Sequence, residues 1–298
     1  MQQTEIVSLM ILSLAFCAMT GANASDDNIV PLKNPFFAMD TCTQKRYPIS
    51  DIPPEEQLAL VKSIGYKGMS WTLGDLNQVV EVEKDAKKLG LKIFALYAPI
   101  TLQREELSYP PTLIQAMDDL KGTNTLIWLM INSDAYAKSS PDGDKTAVQG
   151  IRELADKAQS DHLRIAIYPH VGTWTERLQD ALRVVKQVNR KNVGVTFNLC
   201  HCLQVGDEQL IPQLLKEASP HLFMVTINGS DTNAAGASWS KLIQPLGDGT
   251  YDMVPLLKEL HAIRYSGPIG LQGFGLQGNI KQNLEQSMSA WRKLTGQR

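Results

Sequence analysis

Two short stretches of the sequence combine a histidine with neutral polar residues in a way that could do chemistry. The run VGVTFN ends in Asn198, and His201 follows three residues later; the run IAIYPH places His170 two residues after Tyr168. Imidazole transfers protons near neutral pH, whereas an amide only donates and accepts hydrogen bonds. An aspartate in place of Asn198 would make an Asp-x-x-His pair typical of a divalent-metal site. The missing charge at this position therefore decides how the site is interpreted.

The apolar pattern of the sequence indicates the elements that position these residues. From Asn34 onward, short β-rich runs alternate eight times with longer runs of helical period. Several β-rich runs, such as LIWLMI and LFMVTI, are apolar nearly throughout, as expected for parallel strands buried on both faces. No Gly-x-Gly-x-x-Gly turn follows them, which argues against an open dinucleotide-binding sheet. The pattern predicts an α/β fold, a closed (β/α)8 TIM barrel, as a single domain over residues 30–298.

The predicted strands and helices alternate along the chain. The strands are Pro35–Thr41, Lys67–Thr72, Lys92–Tyr97, Thr125–Ile131, Leu163–Tyr168, Val193–Asn198, Leu222–Asn228 and Ile269–Gln272. The helices are Pro54–Ile64, Leu76–Leu89, Tyr109–Leu120, Ala147–Gln159, Thr175–Asn189, Glu208–Ala218, Met253–Arg264 and Ile280–Leu294. Because active sites of such barrels lie at the C-terminal ends of the strands, we expect the site among the residues found there. These are Asp40, Thr41, Trp71, Thr72, Tyr97, Asn132, Asp134, Tyr168, His170, Asn198, His201, Asn228, Asp231, Gln272 and Phe274.

Short phrases near several strands resemble those of a known family. They are IGYKG before the second strand, IYPH ending the fifth, GVTFNLCH in the sixth and NGSD after the seventh. With them the chain resembles the xylose isomerase-like TIM barrels, the superfamily of sugar phosphate isomerases and epimerases that also includes abasic-site endonucleases. The resemblance implies a metal site built from a Glu ending strand five, an Asp ending strand six, a His after strand seven and a Glu ending strand eight. The corresponding residues here are Tyr168, Asn198, Asn228 and Gln272.

None of these four replacements carries a negative charge at neutral pH. Hard divalent ions need carboxylate charge to offset their dehydration, and an amide oxygen is a much weaker ligand. We therefore predict that the family's metal site is degenerate and that the protein uses no metal or other cofactor. The two glutamates that move protons in metal-dependent epimerases are lost as well, because glutamine does not titrate and tyrosine, with a pKa of about 10, is a poor base.

The residues that remain suit a small carbohydrate, because amides and hydroxyls match its polar groups and aromatic rings match its apolar faces. We predict that His170 and His201 supply metal-free acid–base catalysis of isomerisation, epimerisation or elimination beside a carbonyl. The residues expected to bind the substrate are Tyr168, Asn198, Asn228, Asp231, Gln272 and Trp71. Two alternatives stay open: a non-catalytic carbohydrate-binding protein on the same barrel, and an ordinary metal-dependent isomerase.

The composition bears on other partners. A net charge of −2 at pH 7 leaves no basic excess that would attract nucleic acid, so none is expected as a partner. Past the N-terminal segment, no stretch is apolar enough for a membrane span.

The cysteines after that segment, Cys42, Cys200 and Cys202, are odd in number, so at least one thiol should stay free. The polar segment 228–240 predicts either a mobile loop over the barrel mouth or a disordered spacer.

Residues 1–24 have the form of a secretory signal peptide. An apolar run over residues 6–19 is followed by Ala22-Asn23-Ala24, the small-x-small pattern of a signal-peptidase site. Because the run is shorter than the ~20 residues of a membrane span, we predict cleavage after Ala24 and a periplasmic or secreted mature protein. Mass spectrometry of the N-terminus of the exported chain tests this prediction. A chain that still begins at Met1 would contradict it.

Overall fold

A closed barrel of eight parallel strands forms the centre of the computed structural model, which describes residues 28–44, 52–74 and 76–297. The strands are β1 (Phe36–Ala38), β2 (Gly68–Thr72), β3 (Lys92–Leu102), β4 (Leu107–Ser108), β5 (Leu126–Ser133), β6 (Arg164–Ile167), β7 (Val193–Asn198), β8 (Leu222–Ile227) and β9 (Ile269–Leu271). All are parallel except β4, which pairs antiparallel with the end of β3. The ring closes because β1 pairs with both β2 and β9. The predicted TIM barrel is confirmed, and the predicted signal peptide lies outside the described residues.

Helices follow the strands and surround the barrel. They are α1 (Pro54–Ile64), α2 (Leu76–Lys88), α3 (Pro111–Asp119), α4 (Asp144–Ser160), α5 (Leu178–Val188), α6 (Leu199–Gln204), α7 (Ile211–Ala218), α8 (Trp239–Leu242), α9 (Met253–Ala262) and α10 (Ile280–Thr295). The eight predicted helices all form, with ends shifted by at most three residues. The short helices α6 and α8 were not predicted, and both lie in loops that leave the C-terminal ends of strands. Among the described residues, no helix has the length and apolar character of a membrane span.

Local sequence explains why helices begin and end where they do. Pro53 and Pro54 open α1, where the absent N–H has no helical partner to lose and the fixed φ suits the first turn. Gly65 ends α1 with φ of 108°, a left-handed conformation that glycine adopts without strain. At the start of α10, the Asn279 side chain accepts a hydrogen bond from the Gln282 N–H. These signals act within a few residues, so the sequence alone reveals them.

A column of aromatic side chains fills the inside of the barrel. The ring centroids of Phe37 and Trp128 are 6.3 Å apart, and those of Trp128 and Tyr168 are 5.0 Å apart. Because β1 and β5 are not neighbours in the sheet, Phe37 and Trp128 meet only through the interior. Space for Phe37 depends on Gly270 of β9, where a Cβ atom would overlap the Phe37 ring. The column ends in Tyr168, at the C-terminal end of the barrel.

The segment after β8 forms an ordered loop rather than a spacer. Gly229 and Gln244 exchange two backbone hydrogen bonds of 2.9 and 2.8 Å, which close the loop at its base. The short helix α8 lies within it and begins at Trp239. Of the two alternatives predicted for residues 228–240, the structure therefore favours a loop at the barrel mouth.

The cysteines among the described residues form no disulfide. Cys42, Cys200 and Cys202 are all buried free thiols, as the odd number of cysteines predicted for at least one of them. Burial raises the pKa of each thiol above its ordinary value, so all three stay protonated.

Close packing between β2 and β3 leaves no room for a side chain at Gly68. A Cβ atom there would overlap the Lys92 carbonyl oxygen, which belongs to the paired strand and cannot move aside freely. We expect Gly68→Ala to lower the free energy of unfolding by more than about 3 kcal/mol in urea denaturation. Gly74→Ala is the matched control, because nothing lies within 4 Å of a Cβ at that position. Its effect should stay below about 1 kcal/mol, and equal losses for the two variants would contradict a packing cause.

Candidate active site

A pocket opens at the C-terminal ends of the strands, where the sequence predicts the site. Its cavity volume is about 240 Å³, and we call it the mouth pocket. The residues that line it are Met39, Asp40, Thr41, Thr72, Tyr97, Tyr168, His170, His201, Trp239, Ile243, Gln272 and Phe274. Among these described residues, Asp40 supplies the sole carboxylate, and no lysine or arginine is present.

Asp40 follows β1 and is held by the backbone of its own loop and of β2. Its side chain is buried, with 2% of the residue exposed. One carboxylate oxygen accepts a hydrogen bond from the Thr41 N–H and the other from the Thr72 N–H, each at 3.0 Å. Burial raises the pKa of Asp40 to about 6, although the hydrogen bonds from Thr72 and Thr41 lower it in part. This carboxyl group can therefore take up and release a proton near neutral pH.

His170 and His201 lie side by side, with ring centroids 4.0 Å apart. The Nδ1 atom of the half-buried His170 is 2.8 Å from the Val171 carbonyl oxygen. Because a carbonyl oxygen only accepts hydrogen bonds, Nδ1 carries the hydrogen, which leaves Nε2 of the neutral ring as a proton acceptor. Burial lowers the pKa of His170. Deeper burial, together with the His170 ring, holds the pKa of His201 well below its ordinary value, so a proton on the pair resides on His170.

Tyr168 and Gln272 form a hydrogen-bonded floor. The Gln272 Oε1 atom accepts hydrogen bonds from the Thr41 hydroxyl at 2.7 Å and from the Gly273 and Phe274 N–H groups at 2.9 and 3.0 Å. The Gln272 Nε2 atom donates to the Tyr168 hydroxyl at 3.4 Å. Burial raises the pKa of Tyr168 well above its ordinary value. The phenol therefore keeps its proton and can donate a hydrogen bond.

Aromatic rings wall the mouth pocket above this floor. Tyr97 meets Tyr168 edge-on with centroids 5.2 Å apart, and Trp239 meets His201 edge-on at 5.5 Å. Phe274 lies at the rim and is 39% exposed. Flat apolar faces next to hydrogen-bonding groups are suited to a ligand with both apolar and polar surfaces.

Of the predicted site residues, His170, His201, Tyr168 and Gln272 come together in the mouth pocket, but four others lie outside its lining. Trp71 is buried in the core. Its neighbour Thr72 lines the pocket, and successive residues of a strand point to opposite faces of the sheet. Asn198 is buried at the end of β7, where its Oδ1 atom accepts a hydrogen bond from the Thr226 hydroxyl at 2.7 Å.

Asn228 and Asp231 hold the loop after β8 rather than line the mouth pocket. The Asn228 Nδ2 atom donates to the Gly229 and Leu242 carbonyl oxygens, each at 2.6 Å. The Asp231 carboxylate accepts a hydrogen bond from the Gln244 side chain at 3.2 Å. Both side chains therefore act within the segment that carries Trp239.

One protein-family profile matches the sequence over residues 58–294, and its family is described as xylose isomerase-like TIM barrel. The chain belongs to this family. A search of curated proteins found no match.

Several solved structures are similar to the chain in fold. The 3-keto-D-glucoside 4-epimerase YcjR from E. coli is 17% identical, with a TM-score of 0.67 over 87% of this chain and 99% of that one. D-allulose 3-epimerase from Methylomonas sp., in complex with D-allulose, is 16% identical, with a TM-score of 0.68 over 89% and 98%. A xylose isomerase-like TIM barrel protein from Mycobacterium smegmatis, in complex with magnesium, is 14% identical, with a TM-score of 0.62 over 89% and 98%.

At the four positions where the resemblance places metal ligands, the side chains present do not suit a divalent ion. The side-chain oxygens of Asn198 and Gln272 already accept hydrogen bonds from protein groups. Tyr168 keeps its proton, and Asn228 turns its amide nitrogen to backbone carbonyls. Across residues 28–44, 52–74 and 76–297, no three His, Cys, Asp or Glu side chains cluster as a metal site would require. A neutral set of donors leaves the dehydration of the ion without compensation.

Several lining residues could not be singled out from the sequence. Asp40 and Thr72 were expected only as two of the many residues at the C-terminal ends of the strands. The one local signal for Asp40 is its place two residues after the apolar run FFA. Trp239 reaches the mouth pocket through the path of the loop after β8, which no local pattern specifies.

The raised pKa of Asp40 makes the stability of the fold depend on pH. The folded state binds the Asp40 proton more tightly than the unfolded state does. The pKa of Asp40 is about 6 in the folded state, whereas its ordinary value, which applies to the unfolded state, is 3.8. This contribution to stability is full below about pH 3.8 and is lost as the pH rises through 6, by at most about 3 kcal/mol. Asp40→Asn cannot titrate. We therefore expect its free energy of unfolding to rise relative to that of wild type as the pH increases from 4 to 7.5. Urea denaturation at both pH values measures the difference, and a pH-independent difference would contradict the assignment.

Proposed function

We propose that the protein acts on a small carbohydrate that bears a carbonyl group and moves a proton at the neighbouring carbon without a bound metal. The observation that carries this proposal is the pair of His170 and His201, with rings 4.0 Å apart in an aromatic-walled pocket. Support also comes from solved structures with the same fold whose names include sugar epimerases acting on D-allulose and 3-keto-D-glucosides.

The residues of the mouth pocket divide the chemistry between them. His170 presents Nε2 as the proton acceptor, since its Nδ1–H is held by the Val171 carbonyl. Tyr168 donates its O–H to the carbonyl oxygen of the substrate, where negative charge grows as the carbon loses its proton. Trp239 packs against His201 and excludes water from that side. His201 stays neutral and holds the neighbouring ring in place.

Metal independence is part of the proposal. It rests on the side chains at the positions where the resemblance places metal ligands, which are all neutral. The oxygens of Asn198 and Gln272 already accept hydrogen bonds from protein groups, and Tyr168 keeps its proton. Without a metal, stabilisation of the developing oxyanion falls to hydrogen-bond donors such as the Tyr168 hydroxyl, which are strongest in a dry pocket.

His170→Gln should remove the proton acceptor while keeping a side chain of similar size. We expect turnover of D-allulose or a methyl 3-keto-D-glucoside, followed by NMR, to fall at least about 100-fold. His261→Gln is the matched control, because His261 is exposed on the helix α9 and lies outside the mouth pocket. Equal activity in the two variants would remove His170 from the mechanism.

Chelation tests the absence of a metal. Protein treated with EDTA and dialysed should retain its full turnover of the same sugars, because none of the proposed groups requires an ion. Elemental analysis should find far less than one equivalent of divalent metal. Activity that disappears on chelation and returns with Mn²⁺ would overturn this part of the proposal.

A second candidate, a carbohydrate-binding protein without turnover, is favoured by one specific observation. Burial keeps both histidines of the pocket neutral, and neutral rings serve hydrogen bonding as well as catalysis. Calorimetric binding of a sugar that wild type and His170→Gln both leave unchanged would support this candidate.

We also propose that the protein works outside the cytoplasm. It is supported by the apolar run over residues 6–19 and the small residues at Ala22 and Ala24. A neutral carbohydrate is a ligand compatible with that location.

A further inference from the structure

Asp40 and His170 belong to opposite sides of the barrel. Asp40 follows β1 and His170 follows β6, and β6 lies four strands from β1 whichever way the ring is followed. Both side chains line the same pocket of about 240 Å³. A ligand seated in the mouth pocket therefore has the carboxyl group on one side and the imidazole on the other.

We propose that Asp40 is the second acid–base residue of the mouth pocket and acts on the face of the substrate opposite to His170. The reaction is then an epimerisation, which inverts a carbon beside the carbonyl group of a keto-sugar. This inference rests on the proposed function and specifies its reaction type. A single base on one face of the sugar would instead favour isomerisation, in which the proton returns to a neighbouring carbon.

The surroundings of Asp40 leave it able to react. The Thr41 N–H and the Thr72 N–H each donate to one carboxylate oxygen. The Thr72 side chain and the N–H of Asp40 itself also hydrogen-bond the group. The protein has therefore oriented the carboxyl group firmly at the wall of the pocket. A purely structural acceptor in the same place would not need a charge, and burying one without a cationic partner is costly.

The proton transfers balance without any further reactant. The His170 Nε2 atom takes the proton from the carbon, so that a C–H bond breaks, an N–H bond forms and the electron pair moves to the carbonyl oxygen. The Asp40 carboxylic acid then delivers its proton to the other face of the same carbon. An O–H bond breaks, a C–H bond forms and the carbonyl is restored. Imidazolium and carboxylate remain, ready for the reverse direction or for exchange with solvent.

The acidities of the two groups support this assignment. Burial raises the pKa of the carboxyl group and lowers that of the imidazole, so both approach the same range. The other titratable groups around Asp40 are Tyr97, Tyr168 and His201 in the pocket and the protonated Cys42 behind it. Because Asp40 and His170 together must carry a single proton, we expect the rate to fall at both low and high pH.

Hydrogen exchange in D₂O tests the proposal. D-allulose, D-fructose and a methyl 3-keto-D-glucoside are incubated with wild type, Asp40→Asn and His170→Gln, and conversion and deuterium content are followed by NMR. Wild type should form an epimer that carries one solvent deuterium at the inverted carbon. Asp40→Asn should lose epimerisation at least about 100-fold and yet exchange the hydrogen of one epimer, whereas His170→Gln should exchange only the hydrogen of the other.

The outcomes separate this inference from the proposed function. If wild type converts a sugar and Asp40→Asn does so within threefold of the wild-type rate, Asp40 is not an acid–base residue, while the proposed function stands. If folded Asp40→Asn, checked by urea denaturation, loses exchange of both epimers, the two-sided assignment is wrong. If wild type neither converts nor exchanges any of the three sugars, the proposed function fails and the inference fails with it.

Discussion

The interior of a barrel of eight strands must be filled, and here a series of three aromatic rings runs through it. Phe37, Trp128 and Tyr168 contact one another in turn, from β1 and β5 to the end of β6. Their combined height determines where the pocket begins, because the hydroxyl of the last ring forms part of its floor. Tyr168 is an uncharged ring that fills volume at the C-terminal end of the barrel. A close-packed interior without water favours such a side chain over a charged one.

The carboxylate of the mouth pocket is arranged differently from the carboxylates of a metal site. Carboxylates that share an ion must converge on one point, whereas Asp40 is held alone by the backbone of β2 and of its own loop. A single buried carboxylate reduces stability at neutral pH, as groups at functional sites often do. The N–H groups of Thr41 and Thr72 supply two of the hydrogen bonds that fix it, and these two do not depend on the identity of either side chain.

Much of the fold could be predicted from the sequence, because strand and helix periods and helix ends are local signals. The site was predictable where it depended on the order of strand ends, as for Tyr168 and Gln272. It was not predictable where it depended on the direction in which a side chain points. The strand β2 is buried on both faces, so its pattern does not reveal that Thr72 rather than Trp71 faces the pocket. The burial of Asp40 likewise follows from the pairing of β1 with β2, residues about thirty positions apart in sequence.

The three buried thiols react with oxidants at different rates in the folded and in the unfolded chain. In the fold, Cys42, Cys200 and Cys202 are protonated and enclosed, so oxidants and other thiols reach them slowly. Unfolding exposes all three at once, with ordinary acidity. In an oxidising medium they would then pair within or between chains faster than refolding could bury them again. Heat inactivation should thus be reversible in the presence of a reductant and irreversible without it, so the lifetime of the protein in an oxidising medium depends on its rate of unfolding.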